Sequence, residues 1–490
     1  MHIEEYISSD ATDLAALVRR GEVTAGELHS LAQGVAAAVN PDINSIIEQF
    51  DEPLRYSQES SAPFYAVPFL IKDLALQAEG ILHEMGSRLA SGFRAPQDTD
   101  LMRRFRAAGL ATIGRTAAPE FGYCVTTEPL VNGPTRNPWN LDRMPGGSSG
   151  ASAAAVAAGV VPMAHANDGG GSIRIPASCC GLVGLKPTRG RTPVGPNFGE
   201  QLNGWGAEFA VTRTVRDAAI LLDAVQGPGV GDPYVIPPPA HPYRDDLIAP
   251  ARRFRIAFSA VPWSGVEMDS AVVSELNRVA NLCESLGREV TEASPPLDWD
   301  AFFETTVVCW TANMALWVDS AAELTGRTPD STTLEATTLA CYRHGKKLTA
   351  EDLLRALAVT NQITRKVATF YVDHDVLLTP TTSAPALPLG TLDANAAGLD
   401  AVAWSKQTFA FAPFTPLFNM TGQPAVSLPL GRSADGMPIG MQFAAAFGRE
   451  DVLFNLARQF EQTHPWPRVA PLYRPDRSAP ESQQASTAGS

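Results

Sequence analysis

Two segments rich in glycine and serine carry the residues best suited to chemistry. The first reads GGSSG at 146–150, and the second reads DGGGSIR at 168–174. Three consecutive glycines leave a run of backbone N–H groups unobstructed, and glycine permits the dihedral angles that make those groups converge on an anion. Such a nest suits a phosphate or the oxyanion of a tetrahedral acyl intermediate, and Ser172 at its edge favours acyl transfer. A glycine-rich turn that serves only close packing explains the segment equally well.

A nucleophilic serine needs a base, and histidine is the usual one. None of the eight histidines lies in a recognisable nucleophile–base pattern, and the nearest in sequence, His165, is predicted to be an ordinary core residue. Residues 146–150 fit the G-x-S-x-G pattern of a nucleophile elbow, but that elbow requires a strand running into the serine. The Pro-rich segment 138–145 predicts a loop there instead. The sequence therefore does not favour a histidine base.

Lysine is the better candidate for the base. The chain has only six lysines against 32 arginines, and Lys72 follows the apolar run at 67–71. Burial disfavours the charged form of lysine, whereas arginine keeps its proton near neutral pH. A buried neutral Lys72 can act as a general base. A lysine at a strand end, with its ammonium in water or paired with Asp73, is an equally good expectation.

The segments around these residues alternate between strand and helix patterns. Short apolar runs predict buried strands at 67–71, 110–113 and 160–164, and longer segments predict helices at 151–158 and 214–225. Alternation over most of the length indicates an α/β fold, with one large domain and an inserted helical region.

The composition excludes several classes of protein. The 490 residues include 38 Lys plus Arg and 52 Asp plus Glu, and the net charge of −14 disfavours a nucleic-acid binder, because such proteins need cations to displace phosphate counterions. No apolar run reaches the roughly 18–20 residues of a membrane span, and the N-terminus lacks the pattern of a secretory signal. The six cysteines are scattered without metal-ligand spacing. We therefore expect a cytoplasmic protein that binds neither nucleic acid nor membranes.

Three motifs and their spacing resemble the amidase signature family. They read GGSSGAS at 146–152, DGGGSIRIPAS at 168–178 and GLKPTRGR at 184–191. Ser148 and Ser172 are separated by 24 residues, as the serine pair of that family is, and Lys72 lies in a matching V-P-F-L-I-K-D context. The resemblance covers about residues 60–226 and 410–465, and it is strongest to bacterial amidases of the cyclic-amide hydrolase type.

The resemblance implies a fold and a catalytic set. The fold is α/β, with a large, mostly parallel or mixed central sheet covered by helices on both faces. Ser172 would be the nucleophile, and Ser148, held in that family by a cis peptide, would link the Ser172 hydroxyl to the amine of neutral Lys72. No metal or cofactor would take part. The oxyanion hole would consist of the backbone N–H groups of Gly169, Gly170, Gly171 and Ser172.

The resemblance also implies roles around the catalytic set. Asp168 and Arg174 match motif positions and are expected to brace the glycine loop rather than to react. The substrate pocket is expected partly from the loop at 120–127 and partly from the variable helical region. The candidate pocket residues are therefore Phe121, Gly122, Tyr123, Cys124 and Cys309, with Trp310 beside the last. A packed-core role for Cys309 is at least as good an expectation.

The resemblance places nearly the whole chain in one unit. We expect a single amidase domain at 1–470, with the signature core at 60–226, a variable helical region at 260–375 and a C-terminal sheet and helix at 410–465. Residues 477–490 lack large apolar side chains and are predicted to be disordered.

The implied activity is hydrolysis of a carboxamide C–N bond in a small-molecule substrate, giving a carboxylic acid and an amine or ammonia. Two alternatives stay open within the fold: the glutamine-hydrolysing component of glutamyl-tRNA amidotransferase, which needs partner proteins, and a hydrolase specific for cyclic or aryl amides. A non-catalytic binding protein is disfavoured because Lys72, Ser148 and Ser172 are all retained. Phosphate binding is disfavoured because no Lys-Ser/Thr pair follows the glycines. The sequence leaves the oligomeric state open, with a homodimer as one candidate.

Overall fold

An eleven-stranded sheet runs through the computed structural model, which describes residues 1–472. The strands are β1 (Ile46–Gln49), β2 (Val67–Lys72), β3 (Leu110–Thr116), β4 (Met163–Asp168), β5 (Val183–Lys186), β6 (Ala207–Thr212), β7 (Arg255–Phe258), β8 (Glu289–Glu292), β9 (Val376–Pro380), β10 (Ala425–Arg432) and β11 (Pro438–Ala445). They lie in the order β1-β3-β2-β4-β6-β5-β10-β11-β9-β7-β8. Within the described chain six neighbouring pairs are antiparallel and four are parallel, which confirms an α/β fold with a mixed sheet.

Fifteen α-helices accompany the sheet within residues 1–472. They are α1 (Ile3–Ser8), α2 (Ala11–Arg19), α3 (Ala25–Ile43), α4 (Asp100–Ala107), α5 (Gly150–Ala157), α6 (Arg174–Cys180), α7 (Val215–Val225), α8 (Tyr243–Asp246), α9 (Ser270–Ser285), α10 (Trp299–Thr325), α11 (Ala336–Gly345), α12 (Ala350–Asp373), α13 (Ala401–Phe411), α14 (Thr415–Thr421) and α15 (Glu450–Thr463). No helix in this part of the chain is both long enough and apolar enough to cross a membrane.

Side-chain caps fix the start of α3 and α7. Thr24 accepts a hydrogen bond from the Glu27 N–H at 3.1 Å, and the Glu27 carboxylate accepts one from the Thr24 N–H at 2.7 Å. Thr214 accepts a hydrogen bond from the Asp217 N–H at 3.2 Å. These bonds satisfy N–H groups that have no partner inside the helix. The helix predicted at 214–225 is thereby confirmed.

The structure differs from the sequence prediction at two strands. The strand predicted at 160–164 is β4, and it begins and ends later because the polar residues His165 and Asn167 are buried within it. β8 lies in a region that the sequence predicts to be largely helical, because its mostly exposed EVTE segment carries no apolar alternation. The predicted disordered segment at 477–490 lies outside the described residues.

The long helix α10 dominates the helical region. It packs against α11 and α12, and it ends at Thr325, after which Gly326, with a positive φ of 71°, provides a left-handed cap. Phe302, Cys309 and Met314 are among the residues that it buries. Trp310 projects from this helix toward the glycine loop, so α10 forms one wall of the site described next.

Candidate active site

Two parallel neighbours of the sheet bring the site together. β2 and β4 pair through Leu70 and Ala164, so their carboxyl ends meet at one edge of the sheet, where α/β folds commonly bind ligands. β2 ends at Lys72 and β4 ends at Asp168. Ser148 precedes α5 in a loop whose Gly147–Ser148 peptide bond is cis. The lysine, the serine loop and the glycine loop therefore converge.

The Lys72 amine is buried and has three polar neighbours. Lys72 is 1 % exposed. Its Nζ lies 2.7 Å from Ser148 Oγ, 3.0 Å from Ser149 Oγ and 2.6 Å from Asn167 Oδ1. The alternative expectation, an ammonium in water or paired with Asp73, is wrong, because the Asp73 carboxylate instead contacts Arg115 at 2.8 Å.

The environment of Lys72 favours its neutral form. Burial lowers the pKa of Lys72 to about 7, although the carboxylates of Glu208 and Asp168 oppose part of that shift. Near neutral pH a large fraction of the amine therefore carries a lone pair. Lys186 is also buried, and burial lowers its pKa to about 7, but its Nζ donates to the Pro187 carbonyl at 2.8 Å.

His165 supports the main chain beside Lys72. Its Nε2 lies 2.8 Å from Glu208 Oε2, and its Nδ1 accepts a hydrogen bond from the Lys72 N–H at 3.3 Å. Since Nδ1 is an acceptor, the ring proton belongs on Nε2. Burial lowers the pKa of His165, and the ring is fully enclosed in the core, as the sequence predicts.

Asp168 and Arg174 fix the course of the glycine loop. The Asp168 carboxylate accepts hydrogen bonds from the N–H groups of Gly171 at 2.7 Å and Ile173 at 3.1 Å, and it contacts the Arg174 guanidinium at 2.8 Å. Burial alone would raise the pKa of Asp168, but Arg174 lowers it to about 2. Arg174 is tied in turn to Asn419 Oδ1 at 2.6 Å, so the carboxylate stays charged and the loop is held from behind.

The glycine loop exposes fewer N–H groups than the sequence suggests. The Gly171 N–H donates to Asp168, and it is therefore not available to an oxyanion. The N–H groups of Gly169, Gly170 and Ser172 make no hydrogen bond to any residue between 1 and 472. The prediction that the Gly171 N–H belongs to the oxyanion hole is therefore wrong, and the N–H groups of Gly169, Gly170 and Ser172 remain the predicted donors.

Ser172 lies at the edge of this loop and faces a cavity. It is 8 % exposed, and it lines the cavity together with Ser148. The Ser172 hydroxyl makes no hydrogen bond to another residue of the described chain, and Ser148 Oγ is bonded to Lys72 alone. The Lys72–Ser148 part of the expected relay is thus formed, whereas the Ser148–Ser172 bond is not.

The cavity beside Ser172 has a volume of about 470 Å³. Phe121 and Gly122 line it, and so does Trp310. Phe121 and Gly122 have positive φ angles of 47° and 75°, which turn the chain so that the residues after them point away. Tyr123 therefore lies behind the wall, where its ring stacks on Trp310 at 4.4 Å.

Two further expected pocket residues do not line this cavity. Cys124 is buried in a separate small space beside Glu120 and Glu335. Cys309 is fully buried, because adjacent residues on a helix point in directions about 100° apart and its neighbour Trp310 takes the cavity side. Cys309 is therefore a packed-core residue.

Sequence reasoning missed Ser149 and Asn167. Both touch the Lys72 amine, and they are joined to each other because Ser149 Oγ donates to the Asn167 carbonyl at 3.2 Å. The sequence could have indicated both residues, because Ser149 follows Ser148 and Asn167 precedes Asp168, which are recognised motif positions. As for metals, residues 1–472 contain no cluster of three or more His, Cys, Asp or Glu side chains that could hold an ion.

Comparison with known proteins gives a consistent result. The sequence model of the family described as Amidase matches residues 23–454. The 6-aminohexanoate-cyclic-dimer hydrolase of Paenarthrobacter ureafaciens is 38% identical over 485 residues, covering 96% of this chain and 98% of that protein. An acylamidase of Rhodococcus erythropolis is 33% identical, covering 93% of this chain and 95% of that protein.

Solved structures agree with the sequences. A structure of 6-aminohexanoate cyclic dimer hydrolase superposes with a TM-score of 0.86 at 36% identity, covering 94% of this chain and 98% of that one. One chain of the glutamyl-tRNA(Gln) amidotransferase of Thermotoga maritima shares the fold, with a TM-score of 0.73 at 24% identity over 96% of this chain and 97% of that one. With its motifs, its fold and its relatives in agreement, the chain belongs to the amidase signature family of amide-bond hydrolases.

Proposed function

We propose that this protein hydrolyses a carboxamide through an acyl-enzyme on Ser172, with Ser148 as the proton relay and Lys72 as the base. The observation that carries the proposal is the 2.7 Å contact between Lys72 Nζ and Ser148 Oγ inside the core. Burial lowers the pKa of Lys72 to about 7, which matches a general base that works near neutral pH.

The hydrogen bonds around Lys72 define which neighbour faces its lone pair. The Leu74 carbonyl can only accept, so the Asn167 amide nitrogen faces it at 3.1 Å and the Asn167 Oδ1 accepts from Lys72. Ser149 donates to the Asn167 carbonyl, so it also accepts from Lys72. These two acceptors use both protons of a neutral amine. Ser148, which has no other acceptor among the described residues, then donates to the lone pair.

This arrangement leaves the Ser148 oxygen free to receive a proton. Rotation of the Ser172 side chain would allow its hydroxyl to donate to Ser148. In the acylation step, Ser172 Oγ forms a bond to the amide carbon, and the carbonyl electrons move to the oxygen. The Ser172 proton passes to Ser148 while the Ser148 proton passes to Lys72. The developing oxyanion would be held by the N–H groups of Gly169, Gly170 and Ser172.

The same relay then passes the proton in the opposite direction, from Lys72 to the leaving nitrogen. Lys72 returns its proton through Ser148 to the nitrogen, the C–N bond breaks, and the amine or ammonia departs. Water, deprotonated by the same relay, attacks the acyl-Ser172 ester and releases the carboxylic acid. Every proton that Lys72 takes up in one half of the cycle is returned, so the enzyme is regenerated unchanged.

The named activities of the relatives indicate the general class of substrate but not a specific amide. One relative is named for a cyclic amide and another for acylamides, and both kinds of amide fit a serine that attacks a carbonyl carbon. The likeness to the amidotransferase chain supports the fold and not the glutaminase activity. An assay for ammonia release from glutamine, run on the purified protein with and without an extract that supplies partner proteins, separates that alternative from a free-standing amidase.

The test uses an alkyl fluorophosphonate, which labels activated serines, followed by mass spectrometry and an amide substrate panel. The expected label is on Ser172, and Ser172→Ala should lose both the label and amide turnover. Ser320→Ala is the matched control, because Ser320 also lines the cavity but its hydroxyl donates to the Leu316 carbonyl at 2.9 Å. Full turnover by Ser172→Ala, or a label on another residue, would reject the proposal.

A further inference from the structure

The cavity beside Ser172 extends along helix α10 toward the surface. Trp310 packs over the glycine loop, since a Cβ placed on Gly169 would lie 3.1 Å from its ring. Leu316 and Leu324 line the same cavity, and each is 62 % exposed. At about 1.5 Å per residue, Leu316 lies about 9 Å and Leu324 about 21 Å along the helix from Trp310. The cavity therefore has its reactive end in the core and an apolar mouth at the surface.

No side chain between residues 1 and 472 that lines this cavity is a lysine or an arginine. The charged lining groups are Asp168 and Glu200. Asp168 is neutralised from behind by Arg174 at 2.8 Å, and Glu200 accepts a hydrogen bond from the Tyr234 hydroxyl at 2.5 Å. His83 also lines the cavity, and burial lowers its pKa to about 3, so it is uncharged near neutral pH. The lining of the described chain thus offers no cationic side chain to a bound anion.

We propose that this cavity selects amides whose acyl chain is apolar and uncharged, and that it rejects amides bearing a carboxylate at the far end of that chain. A carboxylate drawn into the cavity would lose its water without gaining a cation, which is costly, and it would meet carboxylates already present. An alkyl chain of the same length would bury its surface against Trp310 and Leu316. The proposal rests on the proposed function in one respect, because it places the amide carbonyl at Ser172.

The test compares octanamide with suberamate, its analogue with a terminal carboxylate. Binding is measured calorimetrically on Ser172→Ala, which keeps the cavity and does not depend on turnover, and hydrolysis is measured on the unaltered protein. We expect octanamide to bind at least thirty-fold more tightly than suberamate. Equal binding of the two, or no binding of octanamide, overturns the proposal. Preferential binding of octanamide without hydrolysis by the unaltered protein would retain this selectivity while contradicting the proposed catalysis.

A charge introduced at the mouth should reverse the preference. Leu316→Arg in the Ser172→Ala background places a cation where the structure has none, and we expect it to tighten suberamate binding at least ten-fold. Leu316→Gln controls for the lost leucine. Leu354→Arg controls for added surface charge, because Leu354 is 66 % exposed on α12 and does not line the cavity. An equal gain in suberamate binding from Leu354→Arg, or none from Leu316→Arg, would contradict selection inside the cavity.

Discussion

Asn167→Asp should shift the ascending, acidic limb of the pH–rate profile to higher pH. The substitution conserves size and replaces the amide oxygen 2.6 Å from Lys72 Nζ with a carboxylate oxygen. Two unit charges at that separation attract by about 6 kcal/mol at an effective dielectric constant of about 20, which corresponds to more than four pKa units. Desolvation of the new carboxylate and its approach to the Leu74 carbonyl oppose this gain. Shifts of about 1–3 units are usual for a neighbouring opposite charge, so we expect the pKa of Lys72 to rise from about 7 to 9 or above.

The assay is kcat/KM for an amide substrate between pH 6 and 11. With a pKa of about 9 only about 1% of Lys72 would be neutral at pH 7, so activity should fall about fifty-fold there and recover above pH 10. Recovery at high pH separates this effect from misfolding, which would lower the rate at every pH.

The control adds a carboxylate elsewhere in the cavity. Asn313→Asp alters another lining asparagine, whose amide donates to Asn203 rather than to the lysine, and we expect it to shift the limb by less than one unit. A limb that stays near pH 7 in folded Asn167→Asp would refute the assignment of Lys72 as the base.

Two further substitutions test the surroundings of the site. Glu335→Gln should stabilise the protein at high pH, because burial and then the Glu120 charge raise the pKa of Glu335 to about 7. The wild type therefore loses stability as pH rises from about 4.5 to 7. The gain in the free energy of unfolding, measured with denaturant, should grow from near zero at pH 4 to about 3 kcal/mol at pH 8. A gain that is the same at both pH values would contradict this. Gly122→Ala should lower kcat as well as Tm, because the new Cβ would lie 2.6 Å from Leu74 and 3.4 Å from Ser148 Oγ. Gly21→Ala is the control: Gly21 has a similar φ of 71° but no neighbour within 4 Å, so this substitution should lower Tm alone.

The sequence predicted the parts of the site that depend on local chemistry. The apolar run that ends at Lys72 is fully buried in β2, and the lowered pKa of that lysine follows from the burial. The glycine loop was recognisable because consecutive glycines constrain the backbone wherever they occur. Both features can be predicted from the local sequence, without knowing which strands lie next to them in the sheet.

The parts that were missed depend on tertiary arrangement. Asn167 reaches Lys72 only because β2 and β4 are parallel neighbours in one register, which no local pattern specifies. Tyr123 and Cys124 were expected in the pocket, but the positive φ angles of the two preceding residues direct them behind its wall. The Gly171 N–H was expected to face an oxyanion, yet it donates a hydrogen bond to the buried Asp168 carboxylate, which Arg174 keeps charged.

In the proposed mechanism, a single proton on Lys72 determines the direction in which the relay can move a proton. When the amine is charged, it donates to Ser148, Ser149 and Asn167 at once, and the Ser148 hydroxyl proton must then point away from the lysine. In that state the Ser148 oxygen keeps one lone pair for Ser172, but Ser148 cannot pass its own proton to an amine that is already charged. When the amine is neutral, Ser148 donates to the lone pair and can pass its proton on while it accepts one from Ser172. Because burial lowers the pKa of Lys72 to about 7, the proposed relay would change between these two states near neutral pH.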